Sequence, residues 1–331
     1  MKFKMNRRDL LQTMGALSLG STNAFAQTSK YPSKSIKMVV PFPPTGGPDT
    51  VGRLVAQMLS QKWGEQIVIE NMAGASGQIG TNYVVRAQPD GYTMLFAPPT
   101  PITIAAHFDP KPAYDVNRDL IPAALMGRNP AVIVTNAKVP ANNLGEFFAL
   151  CKKDPTKYFY GSPGLGHAFH LISEIIFGKA GIHLTHIPYQ GSAPAVMGLL
   201  GGDTQFLVQS VESVKEHIKS GKLRALATLE STRLEAFPDL PTLAESGLGN
   251  LGIMNWYGAF FSSKTPPDII AFWERELIAL NKDPSYQKRM KEMSFDPVVF
   301  GTQEFTKMMA TESQQWESVI KSARISIKKT D

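Results

Sequence analysis

Four stretches of this chain have residue types and spacing suited to chemistry, and that chemistry is anion capture. They are Phe42–Asp49, Ala97–Thr100, Gly161–His167 and Tyr189–Pro194, each lying between a strand-like run and a helical pattern and each nearly free of charge. Gly46, Gly161, Gly164, Gly166 and Gly191 let the main chain approach a ligand closely, while Thr45, Thr100, Ser162 and Ser192 add hydroxyl donors. Pro44, Pro98 and Pro99 remove amide donors and stiffen the walls. Phe42, Tyr189 and Ala193 complete the candidate contacts. Where such a loop enters a helix, the first N–H groups lack intrahelical partners and the helix dipole favours negative charge. One loop of this kind reads as an ordinary turn. Four in series predict a site that grips a small anion without a buried lysine or arginine.

Other constellations are weaker. Gly74-Ala75-Ser76-Gly77-Gln78-Ile79-Gly80 has G-x-x-G-x-x-G spacing rather than G-x-G-x-x-G, and no acidic residue ends a second strand at the right distance. It reads as a helix-capping turn, and no G-x-S-x-G nucleophile elbow is present. His167, His170, His183 and His186 place four of the six histidines close together, and two H-x-x-H pairs could meet around zinc. No acidic or cysteine ligand accompanies them, so they read as structural, with His167 at a loop-to-helix junction where its N–H could meet a carboxylate. Asp49, Asp90, Glu174 and Asp203 are scattered and form no evident acid–base dyad. Cys151 is the sole cysteine, which rules out an intramolecular disulfide, and its amphipathic surroundings make it a small, half-buried apolar residue. The expectation is a binding protein with no catalytic residue, no metal and no cofactor.

The N-terminus explains part of the charge. Lys2, Lys4, Arg7 and Arg8 precede a weakly apolar stretch, Leu10 to Leu19, and the small-residue pattern Ala24-Phe25-Ala26. This reads as a removable signal over residues 1–26, too short to span a bilayer. Asn6-Arg7-Arg8-Asp9-Leu10-Leu11 resembles a twin-arginine signal, with the general secretory route as the alternative. Cleavage near Ala26 would leave a periplasmic protein. The whole chain has 34 Lys+Arg against 28 Asp+Glu; without the signal's four basic and one acidic residue, 30 stand against 27. That weak positive balance suits small anions and argues against nucleic acid.

Strand-like runs alternate with helical patterns from Ile36 to the C-terminus, which predicts an α/β architecture with mostly parallel sheets. The mature length exceeds what one core usually organises, so two lobes are expected. Loop-like segments near Met126–Pro130 and Gly247–Gly252 divide them: residues 27–128 and 253–331 form lobe 1, and 129–252 form lobe 2. Two crossings make a hinge, and the ligand would lie between the lobes. Trp256-Tyr257-Gly258 opens the returning strand and reads as core.

The mature chain resembles the periplasmic receptors of tripartite tricarboxylate transporters, the Bug-type family. The residues that carry this are Tyr31-Pro32-Ser33-Lys34, Ile36 to Pro44 with Gly46, Gly47 and Asp49, then Glu70-Asn71, Pro89-Asp90-Gly91-Tyr92-Thr93, His186 to Pro194, Gly221 to Ala227, Pro238 to Glu245 and Trp256-Tyr257-Gly258. The resemblance implies a type II periplasmic-binding-protein fold, two α/β lobes joined by two crossing strands, closing on a carboxylate held by main-chain amides and hydroxyls. It adds Ala168 to the second-lobe loop. It also implies a two-component membrane permease as partner, and a monomer is expected. Ala97-Pro98-Pro99-Thr100-Pro101 and Gly166-His167-Ala168 depart from the family's Gly/Thr/Ser-rich turns. Two positions often acidic in members that bind amino acids are Gln205 and Gln209, and Gln209 is a candidate contact. Their neutrality points to a ligand without an amine, a di- or tricarboxylate or an aromatic acid. The alternatives are a secreted α/β hydrolase or transferase, which would need His167 and Ser162 for turnover, and a carboxylate sensor for a signalling partner. Gly161→Val is expected to block the ligand while sparing the fold.

Overall fold

The structure, a computed structural model, describes residues 31–108 and 110–322. The signal segment falls outside them. In chain order, β1 (Ile36–Val40), α1 (Gly47–Trp63), β2 (Ile67–Asn71), α2 (Gln78–Arg86) and β3 (Thr93–Ala97) come first. A wide helical turn at Thr100–Ile104, α3 (Val116–Asp119) and β4 (Leu120–Arg128) follow. Next are β5 (Ala131–Asn136), α4 (Leu144–Lys153), β6 (Phe159–Ser162), α5 (Ala168–Ala180), β7 (Thr185–Pro188), α6 (Ser192–Gly201), β8 (Phe206–Ser210), α7 (Val211–Lys219) and β9 (Leu223–Thr228). The chain ends with β10 (Trp256–Ser262), α8 (Pro267–Asn281), α9 (Pro284–Glu292), β11 (Phe300–Gly301) and α10 (Thr302–Ser322).

Two sheets result. The first has six strands in the order β11-β4-β10-β3-β1-β2, and the second five in the order β7-β6-β8-β5-β9. Pairing is mixed rather than mostly parallel. β1 runs parallel to β2 and β3, and β6 to β7 and β8, whereas β10 is antiparallel to β3 and β4, and β5 to β8 and β9. The physical reason is the double crossing. β4 leaves the first sheet at Arg128 and β10 re-enters opposite it at Trp256, so the returning strand must run the other way. The carboxyl ends of β1 and β3 share the edge at which β4 leaves, and Ser210 at the end of β8 lies opposite Ala131, where β5 begins.

β1 is buried along nearly its whole length, as its continuous apolar run requires in a strand covered on both faces. The first core gathers Val39, Leu95, Leu125, Trp256, Phe260 and Phe305. On one face of the second sheet Phe147, Tyr160, Phe177 and Phe206 pack with Trp316 and Ile320 of α10, and on the other Val132, Leu199, Leu207 and Val214 come together. No helix among the described residues is long and apolar enough to cross a membrane.

Candidate ligand cleft

The loop after β1 is held by one carboxylate. Asp49, in the first turn of α1 and 3% exposed, accepts from Thr45 N at 3.0 Å, from Arg53 at 2.9 and 3.0 Å, and from Asn71 Nδ2 at 3.0 Å. Asn71 Nδ2 also donates to the Phe42 carbonyl at 3.0 Å, so the loop is tied at both ends. Burial pulls the Asp49 carboxyl upward, but the bonds from Arg53, Thr45 and Asn71 overcome it and leave it below the usual carboxylate range. This anchoring holds Thr45 at a φ of 69°, in the left-handed region. Gly46 then caps α1 with no side-chain bond, leaving the helix N-terminus open.

The facing wall comes from the second sheet. Gly191 caps α6, likewise with no side-chain bond, at a φ of 121°. A Cβ at Gly191 would stand 3.4 Å from Pro43 of the opposite loop, an ordinary contact, so it is the φ of 121° rather than crowding that calls for glycine here. Ser76 Oγ donates to the Leu165 carbonyl at 2.7 Å, and Ala168 N donates to Thr100 Oγ1 at 3.4 Å, both across the cleft. The Phe42 and His167 rings meet edge to face at 5.9 Å.

Between the walls lies a cavity of about 70 Å³. Both open helix ends reach it, Gly46, Gly47 and Pro48 from α1 and Gly191, Ser192, Ala193 and Pro194 from α6, along with His167 and Ser210. Asn255 and Tyr257 line it from the returning crossing. Among the described residues, none of its lining side chains is an aspartate, glutamate, lysine or arginine. Phe42, Pro43, Pro163, His167, Gln190 and Gly191 also line a second, wider cavity of about 610 Å³, where Lys111 is the charged lining residue among the described residues.

His167 has a defined role in the wall. Its Nδ1 accepts the Phe169 N–H at 3.2 Å and so caps α5. A neutral imidazole whose Nδ1 accepts carries its proton on Nε2, which makes this ring a donor at the cavity. Burial pushes its pKa down to about 4, so it stays neutral well below pH 7. Behind it, His170 and His186 stack at 4.1 Å, and His186 Nε2 bonds Ser162 Oγ at 2.7 Å. Burial holds these two histidines at about 3 and about 4. His170 Nδ1 accepts Gly166 N at 3.2 Å, and Tyr160 donates to Glu174.

The site candidates therefore divide. Phe42, Pro44, Gly46, His167, Gly191, Ser192 and Ala193 line the small cavity, and Gly164 and Tyr189 the wider one. Thr45, through its main-chain N–H, and Thr100, through its hydroxyl, shape the walls instead. Pro98, Pro99, Gly161, Ser162, Gly166, Ala168 and Gln209 line neither cavity. A Cβ at Gly161 would face Tyr189, Thr204 and Leu207, so this glycine makes room for Tyr189, and valine there would strain the fold rather than block a ligand. Gln209 Oε1 accepts from Ser210 N at 2.9 Å. Gln205 sits at the opposite end of β8, bonded to Phe159 N and the Gly202 carbonyl, so its neutrality has no bearing on a substrate amine. Ser162 is fully buried and pairs with His186, so it does not form the nucleophile–base pair with His167 that a hydrolase would need. Among the described residues no group of three or more His, Cys, Asp or Glu side chains is placed to hold a metal.

Gly47 fell within the candidate loop Phe42–Asp49, while sequence reasoning missed Ser210, Asn255 and Tyr257. Strand alternation offered a signal for the last, because Trp256 and Tyr257 must face opposite sides. Tyr257 accepts from Asn129 Nδ2 at 2.9 Å, which links the two crossings directly.

Two mixed sheets joined by two crossings, with a groove of uncharged donors between them, define a periplasmic-binding-protein fold. Residues 51–325 match the family described as "Tripartite tricarboxylate transporter family receptor". Protein BugT of Bordetella pertussis (strain Tohama I) is 33% identical over 326 residues, covering 98% of this chain and 100% of BugT. Among solved structures, Rpa4515 of R. palustris with adipate superposes with a TM-score of 0.85 at 28% identity, covering 89% of this chain and 99% of its own. MatC (Rpa3494) from Rhodopseudomonas palustris with bound malate gives a TM-score of 0.80 at 25% identity, covering 88% and 100%. The chain belongs to the tripartite tricarboxylate transporter receptor family.

Proposed function

We propose that this protein is exported, captures a small organic carboxylate between two lobes, residues 27–128 with 253–331 and residues 129–252, and delivers it to a two-component permease. The observation that carries this reading is the pair of open helix N-termini, at Gly46 and Gly191, that meet in one cavity free of charged side chains. Main-chain N–H groups there, the Ser192 hydroxyl and His167 Nε2–H supply the donors for a carboxylate head. A head group fills the small cavity, and the rest of the molecule extends past Phe42 and His167 into the wider one. Di- and tricarboxylates and aromatic acids fit that division, and the adipate and malate of the two relatives support it. Closure about the crossings would present the loaded form, as a monomer, to the permease.

Calorimetric titration of the purified protein with adipate, malate, aromatic acids and amino acids tests the reading. Binding of one or more of the acids is expected. Binding of amino acids alone, or of none of the panel, would overturn it.

A further inference from the structure

Glu312 lies in α10 with 6% of its surface exposed and forms no ion pair among the described residues. Its Oε2 accepts from the Trp256 indole N–H on β10 and from the Thr103 hydroxyl, both at 2.9 Å. Trp316 Nε1 also favours the ionised form without reaching hydrogen-bond geometry. Burial outweighs these three neutral donors and pushes the carboxyl up to about 7.

Thr103 has a second acceptor, because its Oγ1 lies 3.2 Å from the Pro99 carbonyl. A hydroxyl carries one proton and cannot serve both. When Glu312 is ionised it draws that proton, and Pro99 loses the bond. When Glu312 is protonated, its own O–H donates to Thr103 Oγ1 and the hydroxyl turns to Pro99. Pro99 leads directly into Thr100, whose hydroxyl receives the Ala168 N–H beside His167.

We propose that Glu312 is a positioning residue for the ligand cleft: by gaining or losing a proton it gives the Thr103 hydroxyl to Pro99 or withdraws it, and so tightens or slackens the turn that meets Ala168. The turn Thr100–Ile104 and β11, both packed on this helix, carry no titratable side chain. The segment Ala105–His107 brings His107, bonded to Ser313; β4 brings Arg128, paired with Glu230 and Asp296; β10 brings Tyr257, bonded to Asn129. On its own helix Glu304, Lys307, Glu317 and Lys321 form no ion pair with it among the described residues, and Glu317 pairs with Lys321. The groups that bond Glu312 directly are thus the neutral donors of Trp256 and Thr103.

Tryptophan emission of the purified protein, titrated between about pH 5.5 and 8.5 to bracket the carboxyl, reads the switch without any ligand. The wild type is expected to show a transition near neutrality, and Glu312→Gln, whose amide imitates the protonated acid, is expected to show none. Thr103→Val should raise the midpoint, since the ionised carboxylate loses a charge-assisted bond. An unaltered transition in Glu312→Gln, an unmoved midpoint in Thr103→Val, or no transition in the wild type would each overturn the proposal. A second arm rests on the carboxylate reading: adipate should bind the wild type about five-fold more weakly above the transition than below it, the worth of one hydrogen bond, and Glu312→Gln equally at both. If adipate binds neither protein, that counts against the carboxylate reading, while the emission arm still decides the switch.

Discussion

The two walls of the cleft are built on opposite electrostatic plans. The Phe42–Gly47 wall hangs from an ionised carboxylate, Asp49, with a guanidinium and an amide beside it. The Gly161–His167 wall rests on three neutral imidazoles, His170 buried and His167 and His186 half-buried, and on their hydrogen bonds. Both designs present uncharged donors to the cavity, since the charged groups stay one layer back on the first wall and are titrated away on the second. The difference teaches that a neutral lining can be reached by pairing charge or by suppressing it, and that the two respond to acid at different points.

Removing the carboxylate should have the largest effect. Asp49→Ala strands Arg53, Asn71 and the strained Thr45, and is expected to cost about 2–3 kcal/mol of stability in urea denaturation, with loss of ligand binding. Retained binding would show that the first wall does not depend on its anchor.

Acid should separate the walls next. His170 and His186 are held at about 3 and about 4, below the ordinary 6.5, so the unfolded chain binds more protons between those values. Their contribution is whole above pH 6.5 and is lost as the pH falls toward about 4. Asp49 titrates below its ordinary 3.8, so its contribution is whole above that value and lost only as the pH falls through the lower folded one. Denaturation at a series of pH values should therefore show weakening in the histidine window, and His186→Phe should flatten that slope while Asp49→Ala leaves it.

Smaller effects sharpen the picture. His167→Ala removes both a helix cap and a cavity donor, and should cost about 1 kcal/mol of stability together with a measurable loss of carboxylate affinity. A loss of stability with affinity unchanged would assign the ring to capping alone. Ser76→Ala removes a half-exposed bond across the cleft and should change affinity by about 0.5–1 kcal/mol, read by calorimetry.

Much of this was legible in the sequence where local rules act alone. The alternation of strands and helices from Ile36 onward is found in the fold, and the loops after β1 and before α6 lead into helices whose first turns are open. β4 was not legible, because Pro122 and a run of alanines hide a strand that needs partners on both sides. Pro122 sits opposite Phe260, where the pairing shifts register, and that irregularity accommodates it. Thr100–Ile104 carries a β-branched pattern yet forms a wide helical turn, with the Thr103 hydroxyl placed between the Pro99 carbonyl and Glu312, 209 positions away. The cleft followed the same division. Gly46 and Gly191 announced themselves, but Gly161 and Gly198 are small to admit Tyr189, which no local spacing reveals. Asn255 and Tyr257 reach the cavity through the tertiary path of the second crossing.

The last helix adds a constraint on movement. α10 is rooted against β4 and β11 by residues such as Phe305, while Trp316 and Ile320 near its far end lie in the core beneath the second sheet. It works as a strut between the halves, a third tie besides the two strand crossings. A tie of this kind opposes wide separation of the two sheets, because such a movement would have to draw the Trp316 indole out of the core it shares with Phe147 and Phe206.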